Sequence, residues 1–170
     1  MPHIYWSTTM KKHLFLGLSF VAVLFAFVSC ETKAVMSPSI QQASEIIRTD
    51  TNGVCDTILL TDSLHVGDTV QFGLLLNGYY DYLRTFTVSA DEANVAVSLT
   101  WNDEFKEALS QESDPEHGKL IFVPQKVYGC YTALQYIPLH PGTFRIDMTL
   151  VSAAEAPYAS QQLYFFIAVR

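Results

Sequence analysis

The chain has 170 residues, 49% of them hydrophobic and 16% charged, with 10 Lys+Arg against 17 Asp+Glu for a net charge of −7. So apolar a composition buries enough surface to offset chain entropy, which excludes a disordered chain, and 8 Gly and 7 Pro are too few for a collagen-like or low-complexity one. The acidic balance argues against nucleic acid as a partner, because phosphate backbones are bound by clustered Lys and Arg that displace counterions.

Lys11 and Lys12 precede an uncharged run from His13 to Ser29, dense in Leu, Phe and Val, which stops at Cys30 and is followed by Glu31 and Lys33. The run is 17 residues long, short of the roughly 20 that a spanning helix needs, so residues 1–29 read as a signal peptide. Met10 stands directly before the lysines and is a second candidate start, which would leave residues 1–9 untranslated. The sequence Phe27-Val28-Ser29-Cys30 resembles the box that ends a bacterial lipoprotein signal, in the loose form found in lipoproteins of Bacteroidota. Phe27 and Ser29 stand where the common form has Leu and then Gly or Ala. The resemblance implies cleavage before Cys30, a lipid on its thiol, and a chain held to the membrane of the cell envelope, expected at the outer membrane with the periplasmic or surface face left open. Removing residues 1–29 takes away Lys11 and Lys12 and no acid, leaving 8 basic against 17 acidic residues, or −9.

Residues 30–54 are polar, with Pro38 and several Ser and Gln, and read as a tether whose one candidate element is a short helix around Ile40 to Ile47. A folded domain is expected over residues 55–170. From Thr57 onward the pattern is period two, with apolar residues on one face and polar on the other. Thr57 to Leu60 opens the series. Val70, Phe72, Leu74 and Leu76 line one strand face, and Asn77-Gly78 ends it with turn chemistry. Phe86 and Val88 follow, then Val95, Val97, Leu99 and Trp101, then the short apolar run Leu120 to Val123 closed by Pro124. Phe144, Ile146, Met148 and Leu150 are entered through Pro141-Gly142, and Leu163, Phe165, Ile167 and Val169 form a last strand. Asp103 to Leu109 alone reads as helical, with Asn102 as N-cap and acids in the first turn. About seven strands and one connecting helix make an all-β antiparallel sandwich. Gly67-Asp68-Thr69-Val70 and Pro141-Gly142-Thr143-Phe144-Arg145-Ile146 resemble the second and sixth strands of immunoglobulin-like domains in exported bacterial proteins. That resemblance implies architecture only, since such sandwiches host unrelated functions.

With Cys30 carrying lipid, Cys55 and Cys130 are an even pair of thiols in an oxidising compartment, and a disulfide between them is expected. It would pin the tether to the connection between Pro124 and Pro141. No zinc spacing is present, His65, His117 and His140 read as surface residues, and Asp50-x-Asn52-Gly53 reads as a tight turn. The acids Asp103, Glu104, Glu107, Glu112, Asp114 and Glu116 are the candidates for general acid–base work on a glycan, but a solvated helix and loop has the same composition. No nucleophile motif accompanies the Ser, His and Asp present. The chain is therefore expected not to be an enzyme and to need no cofactor or metal.

Tyrosine is the residue in excess. Tyr79, Tyr80 and Tyr82 surround Asp81 in a turn, and Tyr128, Tyr131 and Tyr136 cluster around Cys130. A turn cannot point three rings inward, and an exposed phenol gives large contact area at little rotamer cost. The expectation is a lipid-anchored, non-catalytic envelope module that binds a protein or glycan through Tyr79, Tyr80, Asp81 and Tyr82. The alternatives are a structural subunit of a fimbria-like assembly and a small envelope glycan hydrolase or its inhibitor.

Overall fold

A computed structural model describes residues 35–170. The expected signal peptide and Cys30 lie outside the described residues. Eleven strands form two sheets: β1 (Ser39–Gln42), β2 (Ile46–Thr49), β3 (Cys55–Ile58), β4 (Ser63–Leu64), β5 (Thr69–Asn77), β6 (Leu83–Ser89), β7 (Val95–Thr100), β8 (Lys119–Ile121), β9 (Gly129–Pro138), β10 (Gly142–Ser152) and β11 (Ser160–Val169). One sheet runs β3-β2-β5-β9-β7, with β1 lying end to end with β2 on the same flank of β5. The other runs β4-β11-β10-β6-β8. Every pairing is antiparallel except that of β4 with β11. The chain crosses between the sheets at every connection from β3 to β10, which makes an immunoglobulin-like sandwich; β8 follows β7 of the first sheet yet pairs with β6 of the second.

Alternation builds the core. Val70, Phe72, Leu74 and Leu76 of β5 face Phe86, Val88, Ile146, Met148, Leu150 and Ile167 from the opposite sheet, all buried in one cluster. Phe165 bridges the layers, its ring 6.2 Å from Phe72 and 5.9 Å from Tyr136. At about 1.5–3 kcal/mol for each fully buried large side chain, this interior rather than any cross-link supplies the driving force.

Four expectations are corrected. Residues 39–49 are not part of a tether, and no helix forms over Ile40 to Ile47: Ile40 and Ile46 are buried in the core from β1 and β2, so the sandwich begins at Ser39 rather than at residue 55. The break between β1 and β2 is bridged locally, with Ala43 N–H donating to the Gly73 carbonyl (2.8 Å) and Gly73 N–H to Ser44 Oγ (2.7 Å). The segment read as a connection between Pro124 and Pro141 contains β9, a central strand that buries Thr132, Leu134, Tyr136 and Pro138 between β5 and β7. Residues Asp103–Ala108 form a 3-10 helix rather than an α-helix.

The fourth correction concerns the disulfide. Cys55 lies on edge strand β3 and Cys130 on β9, with β2 and β5 between them, and both thiols are free. Three strand spacings put them roughly 14 Å apart across the sheet. Cys55 pairs with Thr49, which pairs with Thr69 at the start of β5, whereas Cys130 pairs with Leu76 near its end. That adds roughly 24 Å along the strand at about 3.4 Å per residue, far beyond the reach of a disulfide.

Candidate functional site

One end of the sandwich gathers Ser39, Asn77, Gly129 and Ser160, and the loops there carry most of the tyrosines. Asn77 closes β5 by accepting the Tyr79 N–H on its side-chain oxygen (2.7 Å), which holds Tyr79 at a φ of 56°. Asp81 N–H then bonds back to the Gly78 carbonyl (3.0 Å). Gly78 is required here because a Cβ would lie 2.2 Å from the Asp81 carbonyl oxygen. The loop is sewn to the segment before β9: Gly78 N–H donates to the Tyr128 carbonyl (2.7 Å) and Leu83 N–H to that of Val127 (2.6 Å). The Tyr82 carbonyl accepts the Ala153 N–H (2.8 Å) from the β10–β11 connection. Three loops are thus fixed to one another by backbone bonds.

On this frame the rings divide. Tyr80 is 57% exposed and Tyr79 half-buried. Tyr82 stacks on Tyr128 with centroids 4.0 Å apart, and the hydrogen bond that the Tyr128 hydroxyl donates to Tyr82 holds the Tyr128 phenol above the ordinary tyrosine pKa, with burial adding to the effect. Tyr128 also borders a hollow of about 570 Å³ walled by Trp101, Val127, Cys130 and Tyr131, with Lys126 at its margin. Trp101 rests edge-on against buried Phe122 (5.9 Å), and the Tyr131 ring covers Gly73, where a Cβ would come within 1.9 Å of its hydroxyl. Burial pushes the Cys130 thiol up to about 12, so the wall it forms is neutral. The result is a rigid, largely apolar concavity flanked by phenol hydroxyls, a lining suited to a flat ring or an apolar side chain.

Tyr79, Tyr80, Asp81 and Tyr82 therefore share one loop, but the hollow beside it is lined from β9 and from the chain just before β9 and after β7. Trp101 and Lys126 were not singled out from the sequence as site residues. A second exposed aromatic pair was also missed: Tyr164 and Phe166 lie on the outer face of β11, their rings 5.8 Å apart, with the Arg145 guanidinium 4.3 Å over Tyr164 and ion-paired to Asp147. An unbroken apolar run from Leu163 to Val169, rather than an alternating one, was the available signal.

Among the described side chains the acids do not converge. Glu107, Glu112, Asp114 and Glu116 are exposed along the surface, and Asp114 instead bonds His117 (2.9 Å), which raises the imidazole pKa. His65, His117 and His140 are all exposed. Asp50 accepts the N–H groups of Asn52 (2.9 Å) and Val54 (2.8 Å), which makes the β2–β3 connection a tight turn. Among the described residues no three His, Cys, Asp or Glu side chains are placed to hold a metal, and no helix is long and apolar enough to cross a membrane.

The fold and its exposed rings define an immunoglobulin-like sandwich with an aromatic end. No family model and no curated protein matches the chain. Solved structures similar to it include the collagen-binding domain of a Staphylococcus aureus adhesin, at 11% identity and TM-score 0.33, over 59% of this chain and 87% of that one. Another is AvmM, which catalyses macrocyclization in alchivemycin A biosynthesis, at 12% identity and TM-score 0.35, over 78% of this chain and 96% of that one. Likeness at this level carries no functional argument.

Proposed function

We propose that the chain is a lipid-anchored binding module of a bacterial cell envelope, non-catalytic, which engages a protein or glycan through its aromatic end. The observation that supports this most is the fixed group formed by Tyr80, the Tyr82–Tyr128 stack and the hollow between Trp101 and Tyr131. Its loops are held by backbone bonds, so little ordering entropy opposes binding. The lipoprotein part rests on the Phe27-Val28-Ser29-Cys30 box. In the sequence residues 31–38 separate Cys30 from β1, and β1 begins at the aromatic end. An anchored module would keep this end close to the membrane.

The anchor is tested by fatty-acid labelling. Cys30→Ala should leave the precursor uncleaved and unlabelled, and equal label in the variant would remove the anchor from the proposal. The site is tested by Tyr80→Ala and Tyr128→Ala against an array of envelope glycans and against co-purified envelope proteins. Tyr80 is exposed, so its truncation should weaken binding by about 2 kcal/mol with little change in melting temperature. Unchanged binding in both variants would move the site elsewhere.

For the fimbria-like alternative a strand has to be exchanged between subunits. β11, the natural candidate, is paired with β10 over its full length within the chain, which favours the binding module. For the hydrolase alternative, glycan turnover lost on Glu112→Gln or Glu116→Gln would be the sign.

A further inference from the structure

β11 has two different flanks. Toward β10 it is paired from Ser160 to Val169 with no shift of register. On the other flank β4 meets it only at Ala168 and Val169, and at the opposite end Ile40 N–H bonds the Gln161 side-chain oxygen (2.6 Å). Between these contacts, among the described residues, no strand lies beside Gln162 to Phe166. Ser152 N–H bonds to the Ala159 carbonyl and Arg170 N–H to that of Leu64. Odd-numbered residues of β11 therefore address β10, and the N–H and C=O groups of Gln162, Tyr164 and Phe166 point to the open flank.

Sheet edges are ordinarily blunted by charge, proline, a bulge or shortness. β8 has three residues, one of them Lys119, and β3 carries Asp56 in an ion pair with Arg48. β11 has none of these devices: ten residues without a charge or a proline. Tyr164 and Phe166 are 59% and 55% exposed, and Leu163 is 37% exposed although it shares a face with buried Ile167. Leu163 is thus only partly covered at this edge.

We propose that two copies of this chain pair antiparallel along these flanks, joining two five-stranded sheets into one continuous sheet. The occupant is a second copy because the flank matches itself. With Leu163 on the twofold axis, the incoming strand stays clear of β4, Gln162 of each copy faces Tyr164 of the other, and Ser160 faces Phe166. Those are the rows whose N–H and C=O groups point outward, and the two partly exposed Leu163 side chains meet at the axis. Charge selects the same surface. Copies that each carry −7 repel, and this flank brings no charged side chain of β11 to the contact. The pairing stands independently of the lipid anchor and of the aromatic site.

Sedimentation velocity on the mature chain in detergent, over two decades of concentration, should show a monomer–dimer equilibrium. Tyr164→Lys with Phe166→Lys should weaken it by more than about tenfold while the melting temperature of dilute protein holds, since both rings are exposed. In a Cys55→Ser background, Leu163→Cys should form a disulfide-linked dimer on mild oxidation, because residues facing each other in a non-hydrogen-bonded antiparallel pair bring their Cβ atoms to about 4.5–5.5 Å. Leu139→Cys, exposed at the other end of the sandwich, should not. A monomer at every concentration, a dimer indifferent to the two lysines, or equal cross-linking at both positions would overturn the pairing.

Discussion

The thiol of Cys130 sits in the wall of the hollow, where burial pushes its pKa up to about 12, whereas Cys55 lies exposed on an edge strand. Only the thiolate attacks a disulfide reagent, so a chromogenic thiol assay on folded protein carrying Cys30→Ser should show one fast and one slow cysteine, with the slow one released by denaturant. Two equally fast thiols would contradict the placement of Cys130. Gly78 answers to sterics rather than to ionisation. In Gly78→Ala the new Cβ meets a backbone oxygen that cannot swing away, so the change should cost about 1–3 kcal/mol in thermal or denaturant melts. His117 gives a pH prediction. Its hydrogen bond and charge pairing with Asp114 raise the folded pKa above the unfolded value, so the contribution is fully present below the unfolded value, near 6.5, and fades as pH rises through the folded one. Because the ring is exposed, the readout is its own NMR titration, which should fall back toward 6.5 in Asp114→Asn.

Among elements, β9 is the most instructive. Leu134 is fully buried at its centre, paired with Phe72 on one side and Leu99 on the other, so Leu134→Ala should destabilise by about 2–5 kcal/mol. A loss below about 1 kcal/mol in a denaturant melt would mean the strand is not a core element. Yet β9 was illegible in sequence, and the reasons are physical. Its inward row includes Thr132 and Pro138, its outward row includes Tyr131 and Ile137, and the apolar contrast between faces that marks a strand is therefore weak. β1 and β2 bury one isoleucine each in four-residue strands, and β4 has two residues, too short for any period to register. Where the contrast was strong, as in β5, β7 and β10, alternation located the strand and identified its buried face. The site divides the same way. The Tyr79–Tyr82 turn could be recognised from Asn77-Gly78 and its composition, but its stacking partner Tyr128 and the Trp101 wall reach it only through long-range pairing, and no local pattern encodes that.

At the scale of the molecule, the two chain directions matter. Ser39 lies opposite Asn77 at the aromatic end, while Val169 lies opposite Gly142 at the other, so the first and last strands of the sandwich leave it in opposite directions. A pull applied between those two points runs along the strands, and backbone bonds that lie across the strands must then yield in shear, many together, rather than peeling singly. The same ladders are weak in another geometry: Thr143 and Arg170 both lie at one end of the β10–β11 pair, next to the partners Gly142 and Val169, where tension would open the bonds one after another. Single-molecule stretching with handles at Ser39 and Arg170 should accordingly register a higher rupture force than with handles at Thr143 and Arg170. Equal forces would show that the ladders do not carry the strain. A sandwich held at one end and loaded at the other resists tension by its topology, a mechanical property distinct from its equilibrium stability.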